Sequence, residues 1–93
     1  MTVGILKVVL RIPDSNSLKE KRRVLLSLRD LLRGKFNIAL AEVAEQDKWQ
    51  KAILAIVSVG TEKAMVDKGL AKVMDFIREF KRAELLDYEV ELI

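Results

Sequence analysis

The chain has 93 residues, of which 51% are hydrophobic and 33% charged, and its formal net charge is +3. These values predict one globular domain spanning residues 1–93. The sequence contains no apolar run near the roughly 18 residues that a membrane span needs. Cysteine and histidine are absent, which excludes thiol catalysis, disulfides and typical zinc sites and removes the commonest general base. The start of the chain lacks a signal-peptide pattern, so we expect a cytoplasmic protein. We also expect no cofactor.

The first predicted element is a strand from Val3 to Ile12. Its residues alternate between an apolar face and a second face that is also half apolar, which predicts a central strand. A polar turn, residues 13–16, ends it. Ser17 and Glu20 then have the spacing of a capping box, so a helix begins near Leu18. We expect this helix to run to Arg33, with Gly34 ending it. Its predicted core stripe comprises Leu18, Val24, Leu25, Leu28, Leu31 and Leu32.

Lys21 falls inside this apolar stripe. An isolated buried ammonium group is very costly, so the side chain must either snorkel to solvent at the helix end or meet a carboxylate. Snorkelling is the commoner outcome. Glu42, near the end of the next strand, is the predicted carboxylate for Lys21 or Arg22.

The rest of the chain predicts strands at 36–43 and 51–59, a helix at 62–81 and a last strand in which Leu86, Tyr88, Val90 and Leu92 alternate with acidic residues. Gly69 lies at the edge of the second helix's apolar stripe and predicts close packing there. The order βαββαβ indicates an α+β ferredoxin-like sandwich, with a four-stranded antiparallel sheet in the order 4-1-3-2 and both helices on one face. The other sheet face then carries Ile5 and Val9, and we expect a homodimer or another partner to cover it.

Basic charge is concentrated on the first helix. Seven basic and two acidic side chains lie between Lys19 and Lys35, a local charge of +5, so the rest of the chain contributes −2. Arg22, Arg29 and Arg33 recur on one side of the helix and could follow a phosphate backbone; alternatively, they only solvate the helix. The candidate nucleic-acid or anion-binding residues are Ser15, Asn16, Ser17, Lys19, Lys21, Arg22, Arg23, Arg29 and Arg33.

Strand direction predicts that several loops meet at one edge of the sheet. Glu42 supports the helix there, and Trp49 either packs as a hinge, the slightly favoured interpretation, or offers a stacking surface. The residues expected at this edge are Ser15, Asn16, Lys19, Lys21, Arg22, Arg23, Glu42, Asp47, Lys48, Trp49, Lys81 and Arg82.

Three ordered motifs carry a resemblance to a known family. They are residues 17–23 (SLKEKRR), residues 36–43 (FNIALAEV) and residues 47–50 (DKWQ). With them the chain resembles the YlxP-like family of small bacterial proteins of unknown function. The resemblance implies a ferredoxin-like fold and a gene setting among translation and ribosome-maturation factors, but no activity.

Two functions therefore remain open at the level of sequence. The first is a non-catalytic module that contacts structured RNA or ribosomal particles through the basic helix. The second is a protein-interaction or regulatory homodimer in which the basic residues only solvate. A phosphate-handling enzyme of the acylphosphatase type would use an asparagine on the second strand, and Asn37 could supply it. This function is nevertheless disfavoured, because residues 13–16 lack the glycines of an anion cradle. We expect no enzyme activity, no metal site and no membrane partner.

Overall fold

The computed structural model describes residues 1–93 and has the element order βαββαβ. The strands are β1 (Thr2–Arg11), β2 (Ala39–Ala44), β3 (Lys51–Gly60) and β4 (Glu84–Leu92), and the helices are α1 (Leu18–Lys35) and α2 (Lys63–Glu79). The sheet is antiparallel in the order β2-β3-β1-β4, which is the predicted order read from the opposite edge. The ferredoxin-like α+β fold is thus confirmed. Neither helix is long and apolar enough to cross a membrane.

One core of 16 buried hydrophobic residues lies between the sheet and the two helices. Leu6, Val8 and Leu10 of β1 are fully buried, as the alternation predicted. They pack with Leu28 and Leu32 of α1 and with the inner stripe of α2. We call the sheet surface that faces away from the helices the outer face. It carries the other residue set of β1 and β3, so the two central strands are apolar on both sides.

The first helix differs from the prediction at its end and on one face. It continues through Gly34 to Lys35, and the N–H of Phe36 bonds the Leu32 carbonyl at 2.7 Å. Gly34 has no positive φ, so the predicted glycine stop is wrong. Leu31 is 49% exposed and does not belong to the core stripe. The predicted stripe is too wide, because sequence spacing does not show where the sheet ends beneath a helix.

The two edge strands also differ from the prediction. The second strand begins at Ala39, because Phe36 turns aside to cap α1 and to pack edge-to-face on Phe76 of α2 at 6.3 Å. The last strand begins at Glu84 and contains a bulge: Val9 faces Asp87 and Leu10 faces Leu85, so Leu86 has no partner on β1. Leu85 therefore packs against the core, whereas Leu86, which the alternation groups with Tyr88, Val90 and Leu92, is 51% exposed.

The role predicted for Gly69 is wrong as well. A Cβ atom at this position would meet nothing within 4 Å, so no close packing requires glycine there. The close approach occurs instead at Gly4 of β1, where a Cβ would lie 2.6 Å from Cγ1 of Val66 and 2.7 Å from Cδ1 of Leu70. Glycine at this position lets α2 lie directly on the sheet.

Candidate nucleic-acid interface

Lys21 is the most buried charged residue of the chain. Its side chain is 0% exposed, and its Nζ lies 2.8 Å from Oε2 of Glu42. The same Nζ donates to the backbone carbonyls of Glu45 at 2.9 Å, Lys51 at 3.2 Å and Gln46 at 3.4 Å. The lysine meets a carboxylate and does not snorkel, and Glu42 is the partner that the sequence predicted. It joins α1 to the end of β2 and the start of β3, a structural role that leaves no free proton donor for a ligand.

The polar segment before α1 caps the helix. Ser17 Oγ accepts from the N–H of Glu20 at 3.1 Å, as the capping box predicts. Glu20 Oε2 accepts from the N–H of Asn16 at 2.8 Å, one residue before the expected position. Ser15 is 2% exposed, and its hydroxyl donates to the Ser17 carbonyl at 2.9 Å. Because the Glu20 carboxylate and the Ser17 hydroxyl already accept from the N–H groups of Asn16 and Glu20, the geometry favours capping over binding of an external anion.

Three of the basic residues stand in a row on one flank of α1. We call Arg22, Arg29 and Arg33 the arginine ridge; their spacing of seven and four residues extends it about 16 Å along the helix. Arg29 contacts Asp30 at 3.2 Å, whereas no carboxylate lies within 4 Å of Arg22 or Arg33. The ridge faces the free edge of the sheet: Arg22 and Arg29 rim a groove of about 250 Å³ between α1 and β2, whose floor includes Leu25, Leu26, Leu40 and Leu54.

The other basic residues of α1 point elsewhere. Arg23 lies on the opposite flank, where it shares a shallow cavity of about 270 Å³ with Asp14, Ser15 and Arg82. Lys19 is exposed on the solvent side of the helix. Lys19 and Arg23 thus lie further round the helix than the arginine ridge, as the helical spacing predicts, and only the arginine ridge forms a continuous row.

Trp49 lies on the surface and does not pack as a hinge. It is 57% exposed and lines an open depression of about 430 Å³ at the end of the outer face. Arg11 of β1, Lys48 and Lys51 line the same depression. Arg11 and Lys51 are not among the predicted site residues, although strand alternation already places Arg11 on the same face as Val9.

Two other arrangements bear on chemistry. Asn37 follows the C-terminal end of α1, whereas residues 13–16 precede its N-terminal end, so an 18-residue helix of about 27 Å separates the two parts of an acylphosphatase-like site. No group of three or more acidic side chains has a geometry that could hold a metal ion.

Comparisons with known proteins agree with this description. The chain is 34% identical over 82 residues to "Uncharacterized protein YlxP" of Bacillus subtilis (strain 168), an alignment that covers 88% of this chain and 89% of the relative. Among solved structures it is similar to "De novo designed protein Foldit4", with a TM-score of 0.54 and 10% identity over 100% of this chain and 97% of that one. That likeness concerns the fold alone. The family described as "Protein of unknown function (DUF503)" matches residues 3–90, and the chain belongs to this family.

Proposed function

We propose that this protein is a cytoplasmic, non-catalytic binding module that contacts the phosphate backbone of structured RNA, free or in a ribosomal particle, through the arginine ridge. The observation that carries the proposal is the row of Arg22, Arg29 and Arg33, two of which have no acidic partner. Guanidinium groups bind phosphates in a bidentate manner, and such backbone contacts orient a protein on RNA without reading its sequence.

The arrangement suits a folded RNA better than a small anion. The three side chains extend along the helix instead of converging on one point, and Arg22 and Arg29 border β2, which is a free edge strand of the sheet. Each phosphate contact releases counterions, so the affinity should fall with salt by a logarithmic slope of roughly 0.7 to 0.9 per contact.

Charge reversal tests the proposal. Binding of a structured ribosomal RNA fragment is measured for the wild type and for the double variants Arg22→Glu/Arg29→Glu and Lys68→Glu/Lys72→Glu at two salt concentrations. Lys68 and Lys72 are exposed on α2 and lack acidic partners, so they are matched controls for net charge. We expect the α1 variant to lose binding and the α2 variant to retain most of it. Equal losses of binding in the two double variants would show that the RNA is attracted by net charge alone. Absence of wild-type binding at low salt would refute the proposal.

A second proposal, a homodimer with an interaction or regulatory role, rests on the outer face. Both helices pack against the other side of the sheet, so no element of the chain covers the outer face. There Val3 lies beside Val59, and Ile5 lies beside Val57. The same face carries an acidic row on β4 as well as Lys7, so two copies related by a two-fold axis can match opposite charges across it.

Light scattering tests the dimer. We expect a two-chain mass at micromolar concentration that falls to one chain in Val57→Lys/Val59→Lys. Met65→Lys, at an equally exposed apolar residue of α2, should leave the dimer intact. A single-chain mass that persists on concentration would contradict this second proposal.

A further inference from the structure

The two ends of the outer face differ in chemistry. At one end the paired residues are aliphatic: Val3 faces Val59, and Ile5 faces Val57. At the other end Arg11 faces Lys51, and the exposed indole of Trp49 stands beside them. We call the second end, with Arg11, Lys48, Trp49 and Lys51, the Trp49 shelf. Ile5 and Arg11 are six positions apart on β1, about 20 Å of extended chain, so an interface confined to the aliphatic end leaves the shelf open.

The shelf stands on a loop that is held from two sides. The side-chain amide of Gln50 donates to the carbonyls of Pro13 at 3.2 Å and Ser15 at 3.1 Å, and the Gln50 carbonyl accepts from the N–H of Ile12 at 2.8 Å. From below, buried Lys21 holds the carbonyl of Lys51 at 3.2 Å. The backbone on the C-terminal side of Trp49 is therefore fixed before any ligand arrives, which lowers the entropy cost of binding on the indole.

The same loop contains a strained backbone conformation at Glu45. Glu45 has a φ of 60°, a conformation that non-glycine residues rarely adopt. Its carbonyl accepts both from Lys21 Nζ at 2.9 Å and from the N–H of Lys48 at 3.1 Å. The turn at Glu45 is therefore tied to buried Lys21 and to Lys48, and it fixes the chain just before the exposed Trp49.

The charges around the indole favour an anionic aromatic ligand. Lys48 has no acidic partner; Arg11 pairs with the exposed Glu84 at 3.5 Å, and Lys51 pairs with the partly buried Glu45 at 4.0 Å. Both pairs are long and reach solvent, and such pairs are weak, so a phosphate can displace them. A flat aromatic surface next to several cations is the arrangement by which proteins stack an unpaired base and hold its backbone.

We infer that the Trp49 shelf binds an unpaired nucleotide of single-stranded RNA, with the base stacked on the indole and the adjoining phosphates held by Lys48, Lys51 and Arg11. This inference shares the ligand class of the proposed function but none of its residues. The arginine ridge would orient a folded RNA, and the Trp49 shelf would bind an unpaired base that is not stacked on its neighbours in the RNA. The second copy of the chain is the competing occupant, because an exposed tryptophan is also a common anchor of protein interfaces.

Fluorescence tests the inference directly, because Trp49 is the only tryptophan. The full-length protein is titrated with a short oligoadenylate, and stacking should quench the indole emission in a saturable way. Affinities of variants are measured by the anisotropy of a labelled oligoadenylate. We expect Trp49→Ala to weaken binding about 5- to 100-fold, in line with the loss of one stacked base, and Trp49→Phe to retain a part. Tyr88→Ala is the matched control: Tyr88 is the other well-exposed aromatic residue, but it lies against Arg78 of α2.

Each outcome separates this inference from the proposed function. If Arg22→Glu/Arg29→Glu loses structured RNA but still shows quenching by oligoadenylate, the shelf stands as a second site. Unchanged affinity in Trp49→Ala, or equal losses in Trp49→Ala and Tyr88→Ala, would overturn the inference. It would also be overturned if the indole emission shifted with protein concentration and did not respond to oligoadenylate, because a second copy would then cover the tryptophan.

Discussion

The Nζ atom of Lys21 lies 2.8 Å from Oε2 of Glu42, and this ion pair links the first helix to the edge strand β2. The lysine is fully buried and the glutamate side chain is 19% exposed. Three backbone carbonyls lie within 3.4 Å of the same Nζ, so every N–H of the ammonium group has an acceptor, and no buried side-chain nitrogen or oxygen of the chain lacks a hydrogen-bond partner. The pair therefore fixes the position of α1 relative to the β2–β3 loop, on which both candidate surfaces depend.

Glu42→Ala should lower the free energy of unfolding by roughly 2 to 3 kcal/mol, because it removes a charge-assisted hydrogen bond and leaves Lys21 buried without a counter-charge. Glu91→Ala is the control: Glu91 is exposed on β4 with no ion pair, and its removal should change stability by less than about 0.5 kcal/mol. Urea denaturation of both variants measures the difference. Equal midpoints would show that the buried pair contributes no more than a surface carboxylate.

Gly69→Ala should raise the free energy of unfolding by about 0.5 to 1 kcal/mol. The position is helical, a Cβ atom meets nothing within 4 Å, and alanine has the higher helix propensity. Thermal denaturation measures the gain, and a lower midpoint would reveal a packing role that the open space around Gly69 does not suggest.

Gly4→Ala should have the opposite effect. The new Cβ would lie 2.6 Å from Cγ1 of Val66 and 2.7 Å from Cδ1 of Leu70, so these side chains or α2 itself must shift. Overpacking of this kind costs about 1 to 3 kcal/mol. The same denaturation experiment applies, and a neutral result would mean that α2 moves away from the sheet without loss.

Ser17→Ala should cost about 1 kcal/mol, because the N–H of Glu20 loses the acceptor that caps α1. Ser27→Ala, inside the same helix, is the matched control and should be neutral or slightly stabilising. Urea denaturation distinguishes them. If the two variants behaved alike, the cap would contribute nothing beyond the packing of the helix.

The sequence by itself determined the order of elements, the sheet order and the inner face of the central strands. These properties follow from local patterns: alternation along β1 and β3, the capping box at Ser17 and Glu20, and the βαββαβ order that allows few topologies. It also identified Lys21 as misplaced in an apolar stripe and named Glu42 as its partner, because a buried charge demands a carboxylate and strand direction offered this one.

Only the tertiary structure decided the remaining features, because each depends on which segments meet. The bulge at Leu86 arises from the pairing of β4 with β1, and the exposure of Leu31 follows from where the sheet ends beneath α1. Which of the basic residues of α1 face the free edge of the sheet depends on the rotation of α1 over it. The Trp49 shelf requires Arg11, Lys48 and Lys51 to converge, and two of these residues lie 40 positions apart in the chain. Local sequence preference sets the elements, whereas register and helix rotation are set by packing between them.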